Sequence, residues 1–71
     1  MSTDFVISKN IKKLRKKAGL TQEALARKAD ISYNTIIKLE TGGIKDPRIS
    51  TLIKAANALD TSIDKLVSSK I

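Results

Sequence analysis

Four helix breakers constrain this sequence most: Gly19, Gly42, Gly43 and Pro47. Between them, apolar residues recur at helical spacing, and before Gly19 they follow at intervals of four, three and four residues from Ile7 onward. That spacing puts apolar side chains on one face of a helix, and none of the segments alternates as a half-buried strand does. The pattern therefore predicts short amphipathic helices joined by tight turns.

The predicted fold is all-α, a compact five-helix bundle in one domain that takes in residues 1–71. The helices are expected at about 4–18, 22–29, 33–41, 47–59 and 63–67, with a tail at 68–71. Thr21, Ser32 and Ser62 are good helix caps, and Asp46 with Pro47 predicts a cap followed by proline at the first position of the fourth helix. The residues expected to face inward on the last two helices are Ile49, Leu52, Ile53, Ala56 and Leu59, followed by Ile63, Leu66 and Val67.

The composition narrows the function. There are 14 Lys+Arg against 7 Asp+Glu, a net charge of +7. Such a charge indicates either a polyanionic partner, meaning nucleic acid or an anionic membrane, or simply a basic, soluble surface. His and Cys are both absent, so the commonest general base and the usual zinc ligands are missing. We expect no catalytic residue, no metal site, no cofactor and no small-molecule ligand. With no apolar run of membrane-spanning length and no signal peptide, a cytoplasmic protein is expected.

Helices two and three are separated only by Asp30, Ile31 and Ser32. Two short helices joined by such a turn form a helix-turn-helix, in which the second helix enters the DNA major groove and the first fixes its pose. The spacing alone is also found in ordinary helical bundles. The basic charge makes the DNA-binding interpretation more specific.

The stretch IKKLRKKAGLTQEALARKADISYNTIIKLETG resembles the Cro/phage-repressor, or lambda-repressor-like, family of helix-turn-helix proteins. That family typically shows a basic first helix, then G-L-T-Q, E-x-L-A and I-S-x-x-x-I-x-x-[IL]-E-x-G. The later DPRISTLIKAANALDTSIDKLV resembles its fourth and fifth helices. The resemblance covers about residues 9–67 and implies a sequence-specific transcriptional regulator that binds double-stranded DNA.

The resemblance implies base contacts from the third helix. Tyr33, Asn34 and Lys38 match positions that touch base edges, and Asn and Lys suit adenine and guanine respectively. Ile37 lies on the same side of the helix. Its two interpretations are packing at the edge of the core and apolar contact with a thymine methyl group.

A second set matches, or lies near, positions that touch the DNA backbone. Gln22 matches a side chain that grips a phosphate at the start of helix two, and the loop after helix three is expected to offer backbone amides. Lys45 replaces the basic residue that many relatives have at Gly43. The full set expected to position phosphates is Gln22, Ser32, Thr35, Thr41, Gly42, Lys45, Arg48 and Asn10. Four lysines of the first helix, Lys12, Lys13, Lys16 and Lys17, are expected to be either a solvated face or distal phosphate contacts.

Two further features are structural. Arg15 and Glu40 match a partly buried ion pair that joins helices one and three in the family. Asp30 and Asp60 stand where the family usually has Gly, a position that often needs a left-handed backbone.

The sequence thus predicts a regulator, specifically a repressor, that binds a near-palindromic operator as a homodimer, at least on DNA. One alternative keeps DNA binding but makes the protein a restriction–modification controller or an antitoxin that represses its own operon. Another is a protein-interaction module that uses Tyr33 and Ile37 as an apolar patch. The salt dependence of binding distinguishes the last alternative from DNA binding. Binding to phosphates weakens steeply with added salt, whereas binding through an apolar patch does not.

Overall fold

The computed structural model describes residues 3–44 and 46–68, with side chains described from Val6 onward. All regular structure in these ranges is helical, which confirms the all-α prediction. The helices are α1 (Thr3–Lys17), α2 (Gln22–Ala29), α3 (Tyr33–Thr41), α4 (Ile49–Ala58) and α5 (Ile63–Val67). Within the same ranges, no helix combines the length and the apolar character needed to cross a membrane.

One hydrophobic core joins the five helices. Ile11, Leu25, Ile36 and Leu66 are its largest fully buried apolar side chains, one each from α1, α2, α3 and α5. Alanines of α2 and α4 fill the remaining space, which lets these helices approach closely. In this arrangement α1 packs against α3 and α5, and α2 packs against α3 and α4, so α3 is held on one side by two helices.

The turn between α2 and α3 is set by two local devices. Asp30 has φ 57° and ψ 46°, a left-handed conformation that ends α2 and directs its amide to the carbonyls of Ala26 and Arg27. Ser32 then caps α3 by accepting a hydrogen bond from the Thr35 amide. Asp60 is also left-handed, with φ 54°, so the expected conformation occurs at both aspartates.

The start of α4 differs from the prediction. Asp46 and Pro47 were expected to cap and begin this helix, but α4 begins at Ile49 with Arg48 as its N-cap. Arg48 has an extended backbone, with ψ 145°, and the first helical bond runs from the Leu52 amide to the Arg48 carbonyl. No side chain caps this end. Proline fixes only its own φ, and here the chain turns into the helix two residues later.

Three residues expected to face inward are exposed instead. Ile49 is 62% exposed, Ile53 is 44% exposed, and Val67 is also exposed. The small residues Ala55 and Ala58 are buried in the core along with Leu52 and Ala56. The apolar period predicted that the larger side chains would be buried. In the structure α4 approaches the core closely, and the face that packs there is the one richer in alanines.

Candidate nucleic-acid interface

Helix α3 has one buried face and one exposed face. Ile36, Leu39 and Glu40 are buried, while Asn34 and Lys38 are exposed. Because residues three and four apart share a helix face, Asn34 and Lys38 project together into solvent. Tyr33, at the first position of the helix, is 44% exposed.

Ile37 lies between the two faces. It is half-buried. The partly buried apolar side chains that pack against the described core are Leu14, Leu20, Ile31, Ile44 and Ile63, and Ile37 is not one of them. This placement favours an apolar contact made on the exposed side of α3 over packing at the core edge.

A buried carboxylate fixes the pose of α3. Glu40 is 4% exposed, and its Oε2 accepts from Nε of Arg15, while its Oε1 accepts from Nη2 of Arg15 at 3.0 Å. Arg15 also donates through Nη1 to the Leu20 carbonyl at 2.7 Å. A two-point contact between guanidinium and carboxylate restricts both position and angle. This ion pair therefore ties α3 to α1 and to the loop before α2.

Gln22 joins the same network, a contact that sequence reasoning missed. Its Nε2 donates to Oε1 of Glu40 at 3.1 Å, so Glu40 links α1, α2 and α3. A primary amide has two N–H groups, and one of them remains for another acceptor. The side chain is half-buried at the first position of α2, where helix amides lack intrahelical partners. No periodic signal in the sequence could have indicated a bond between positions that far apart.

At the start of α3, two hydroxyl groups that were expected near phosphates already interact. Ser32 Oγ accepts from the Thr35 amide at 3.2 Å and lies 2.7 Å from Thr35 Oγ1. The two hydroxyls share one hydrogen bond, so one hydroxyl proton is left for an outside acceptor. Ser32 is exposed and Thr35 is half-buried, so the pair can offer a single donor at the surface.

The loop after α3 corrects part of the phosphate prediction. The amides of Gly42 and Gly43 both donate to the Lys38 carbonyl, which closes the helix end. Thr41 Oγ1 donates to the Ile37 carbonyl at 2.9 Å. The donors of Thr41 and Gly42 are thus bonded within the chain, so the expected phosphate contacts at these two residues are not supported in this conformation. Gly42 has φ 77°, the left-handed value that favours glycine at a helix end.

Two basic residues follow that loop. Lys45, expected to touch a phosphate, lies outside the described residues. Arg48 is exposed, and its guanidinium forms no ion pair with any described side chain. It is therefore available to an outside anion.

Asn10 does not support its predicted contact with DNA. Its side chain is 2% exposed, and Nδ2 lies within hydrogen-bonding distance of the carbonyls of Lys65, Leu66 and Ser68, at 3.2, 2.9 and 2.7 Å. The carbonyls at the end of a helix lack intrahelical partners. Asn10 supplies that partner and fastens α5 to α1, so its role is structural. The sequence predicted a phosphate contact for Asn10 near the N-terminal part of α1, but the packing of α5 covers this side chain.

Comparison with known proteins agrees with this geometry. The helix-turn-helix family matches residues 11–66. Two curated relatives come from Bacillus subtilis strain 168. The uncharacterised HTH-type transcriptional regulator YqaE is 39% identical over 87% of this chain and 53% of its own. The HTH-type transcriptional regulator ImmR is 36% identical over 86% of this chain and 47% of its own. The chain thus spans about half the length of these relatives.

Solved structures extend the comparison to the fold. The N-terminal DNA-binding domain of SinR from Bacillus subtilis superposes with a TM-score of 0.88 at 30% identity, over 93% of this chain and 96% of that one. A chain of the SinR protein/SinI protein complex gives a TM-score of 0.86 at 31% identity, over 90% of this chain and 62% of that one. By family match and by fold, the chain belongs to the helix-turn-helix family of the Cro/phage-repressor type.

Proposed function

We propose that this domain is the DNA-binding unit of a sequence-specific transcriptional regulator that represses by occupying an operator. The proposal rests on the division of α3 into a buried face, which is held in place through Glu40, and an exposed face that carries Asn34 and Lys38 and is called the free face below. Glu40 is held by Arg15 and Gln22, and on the other side Asn34 and Lys38 are exposed. A helix held in this way can present the same side chains to every base pair it meets.

The chemistry of the free face suits base reading. Asn34 can pair in a bidentate manner with adenine, and Lys38, one turn later, can donate to the acceptors of guanine. Tyr33 offers a hydroxyl group and an apolar ring edge, and Ile37 can contact a thymine methyl group. These four residues are the proposed base-reading set.

The positioning set that the described residues support is smaller than the sequence predicted, and the phosphate contact of Lys45 stays a prediction. Gln22 keeps one amide proton, the Ser32–Thr35 pair keeps one hydroxyl proton, and Arg48 keeps its whole guanidinium group. In sequence, these donors lie before α3, in its first turn and after it. Contacts between such donors and phosphates fix the orientation of a protein on DNA. The net charge of +7 supports attraction to the DNA backbone at long range.

We further propose that two copies bind a near-palindromic operator, with half-sites one helical turn apart. YqaE and ImmR are both named as HTH-type transcriptional regulators, which supports the regulatory role. A restriction–modification controller or an autoregulating antitoxin would use the same interface, so these alternatives differ in the regulated gene and not in the mode of binding.

Selection of bound sequences from a pool of random duplex DNA tests the proposal. We expect a consensus with two inverted half-sites, and binding that weakens steeply between 50 and 200 mM salt, on the order of the 10³-fold known for six or more phosphate contacts. Enrichment of no consensus, together with binding indifferent to salt, would reject DNA reading and favour the protein-interaction alternative at Tyr33 and Ile37.

A further inference from the structure

The face of α1 that points away from the core carries four lysines. Lys9, Lys12, Lys13 and Lys16 are all exposed, and their spacing puts them within one stripe about 100° wide on the helix. From Val6 to Lys17 the sequence contains no Asp or Glu. None of the four ammonium groups forms an ion pair with a described side chain. The stripe is therefore a concentration of uncompensated positive charge.

The same lysines line a groove between α1 and the end of α3. Its walls include Ser8 and the four lysines on one side, and Glu40 and Thr41 on the other. The one carboxylate in the groove is already bound by Arg15 and Gln22. Among the described side chains the groove thus offers four free cations and no free anion, which suits a polyanion and disfavours a basic or neutral partner.

The groove reaches the turn that ends α3. A Cβ placed on Gly42 would lie 3.9 Å from Ser8 Oγ, so α1 abuts the turn that follows the recognition helix. Ser8, Lys12 and Lys16 are four residues apart and follow one ridge of α1 away from that turn. DNA that lies along α3 and passes this turn would meet the ridge next.

The dimensions also suit the DNA backbone. From Lys9 to Lys16 the helix rises roughly 10 Å at about 1.5 Å per residue. Phosphates on one strand recur about every 3.4 Å along the duplex axis, so the stripe spans roughly three of them. Lysine binds phosphate as a point charge that needs no fixed geometry, which fits backbone contact.

We propose that this α1 lysine groove, defined by Lys9, Lys12, Lys13 and Lys16, binds backbone phosphates of the DNA that flanks the recognition site. The inference rests on the proposed function and extends its interface beyond the half-site. Such contacts raise affinity for every sequence equally and lengthen the protected segment of DNA.

The test compares two charge-matched double variants. Lys12→Gln/Lys16→Gln removes two charges from the groove, and Lys28→Gln/Lys65→Gln removes two from exposed positions of α2 and α5 that do not line it. Each variant and the unmodified domain are titrated onto the selected sequence, in a short duplex limited to the half-sites and in a long duplex with flanks, at several salt concentrations. Thermal melting verifies that all three proteins are folded.

On the long duplex the two bound copies lose four contacts, so we expect the groove variant to lose about 3.6 units of the salt slope, at about 0.9 per lost contact. Between 50 and 200 mM salt, the unmodified domain should then weaken about 150-fold more than the groove variant does. On the short duplex this difference should largely disappear. The control variant should keep the slope of the unmodified domain on both duplexes.

Two results would overturn the inference. Equal slopes for the groove and control variants would mean that only net charge matters, and the groove would then be left to another partner such as an acidic protein segment. An equal loss on short and long duplexes would place the lysines inside the half-site. Both results leave the proposed function intact, whereas failure of the unmodified domain to prefer any sequence would refute the proposed function instead.

Discussion

The buried pair of Arg15 and Glu40 gives the sharpest stability prediction. The side chain of Glu40 is 0% exposed and that of Arg15 is 11% exposed, so both charges are largely removed from water. Replacing Arg15 with Ala leaves the carboxylate with Gln22 as its remaining donor, at 3.1 Å. It also leaves the Leu20 carbonyl without the guanidinium that binds it.

The magnitude follows from these contacts. Stranding one partner of a buried ion pair costs about 3–5 kcal/mol, and the remaining Gln22 bond places Arg15→Ala near the lower end, at about 3 kcal/mol. A 71-residue domain has roughly 4–10 kcal/mol of total stability. At about 4–8 °C per kcal/mol, the melting temperature should fall by roughly 12–24 °C.

A double-mutant cycle measures whether the two residues act together. Arg15→Ala, Glu40→Ala and the double variant are compared with the unmodified domain by chemical and thermal unfolding. Once one partner is gone, removing the other no longer strands a charge, so the double variant should cost little more than the worse single variant. Arg15→Lys, which keeps the charge but not the planar fork, should give a smaller loss and remains measurable if the alanine variants unfold.

Additive losses, within about 0.5 kcal/mol, would refute the reasoning, because independent residues add and coupled residues do not. A loss for Arg15→Lys equal to that for Arg15→Ala would assign the stability to the fork geometry alone. A loss well under 1 kcal/mol for both single variants would show that the pair behaves as a surface ion pair.

Four further variants test local features of the fold. Asp30→Asn should raise the free energy of unfolding by about 0.3–1 kcal/mol, because it removes a negative charge from the C-terminal end of α2. Asp60→Gly should be nearly neutral, because relief of the left-handed strain is offset by the greater entropy of the unfolded chain. A loss above about 1 kcal/mol in either variant would contradict this reasoning. Arg48→Ser should give α4 a capping side chain and stabilise the fold by about 0.5–1 kcal/mol in thermal melts. The same variant should weaken binding to all DNA sequences similarly, because it loses a backbone contact. Unchanged binding would show that Arg48 is not part of the interface. Asn10→Asp should cost about 3 kcal/mol or more, because a carboxylate would face three carbonyls, and a loss no larger than that of Asn10→Ala would disagree.

The helical architecture could be predicted because local signals agree with one another. Glycine at the ends of α1 and α3, the Thr21 and Ser32 caps and the apolar period all point to the same elements. The left-handed aspartates could be expected from their place past helix ends, once the resemblance to a known family indicated a glycine there.

The predictions fail where packing between elements far apart in the sequence determines which side chains are buried. Asn10 was expected at the surface, but α5 covers it from more than fifty positions further along the chain. Ile49 and Ile53 fit the apolar period, yet the buried face of α4 consists largely of alanines and leaves both isoleucines exposed. The contact of Gln22 with Glu40 likewise depends on three-dimensional proximity that a one-dimensional pattern does not contain.

The most direct test of the central claim is the effect of Asn34→Ala on binding to the selected operator and to random duplex DNA. Asn34 is exposed on the free face of α3, and its side chain forms no hydrogen bond or ion pair with a described residue, so the variant should melt normally. The account predicts a loss of about 1–3 kcal/mol on the operator, relaxed preference at one base pair in each half-site, and far less loss on random DNA. Equal losses on both duplexes, with the base preference unchanged, would contradict the claim that α3 reads sequence through this face.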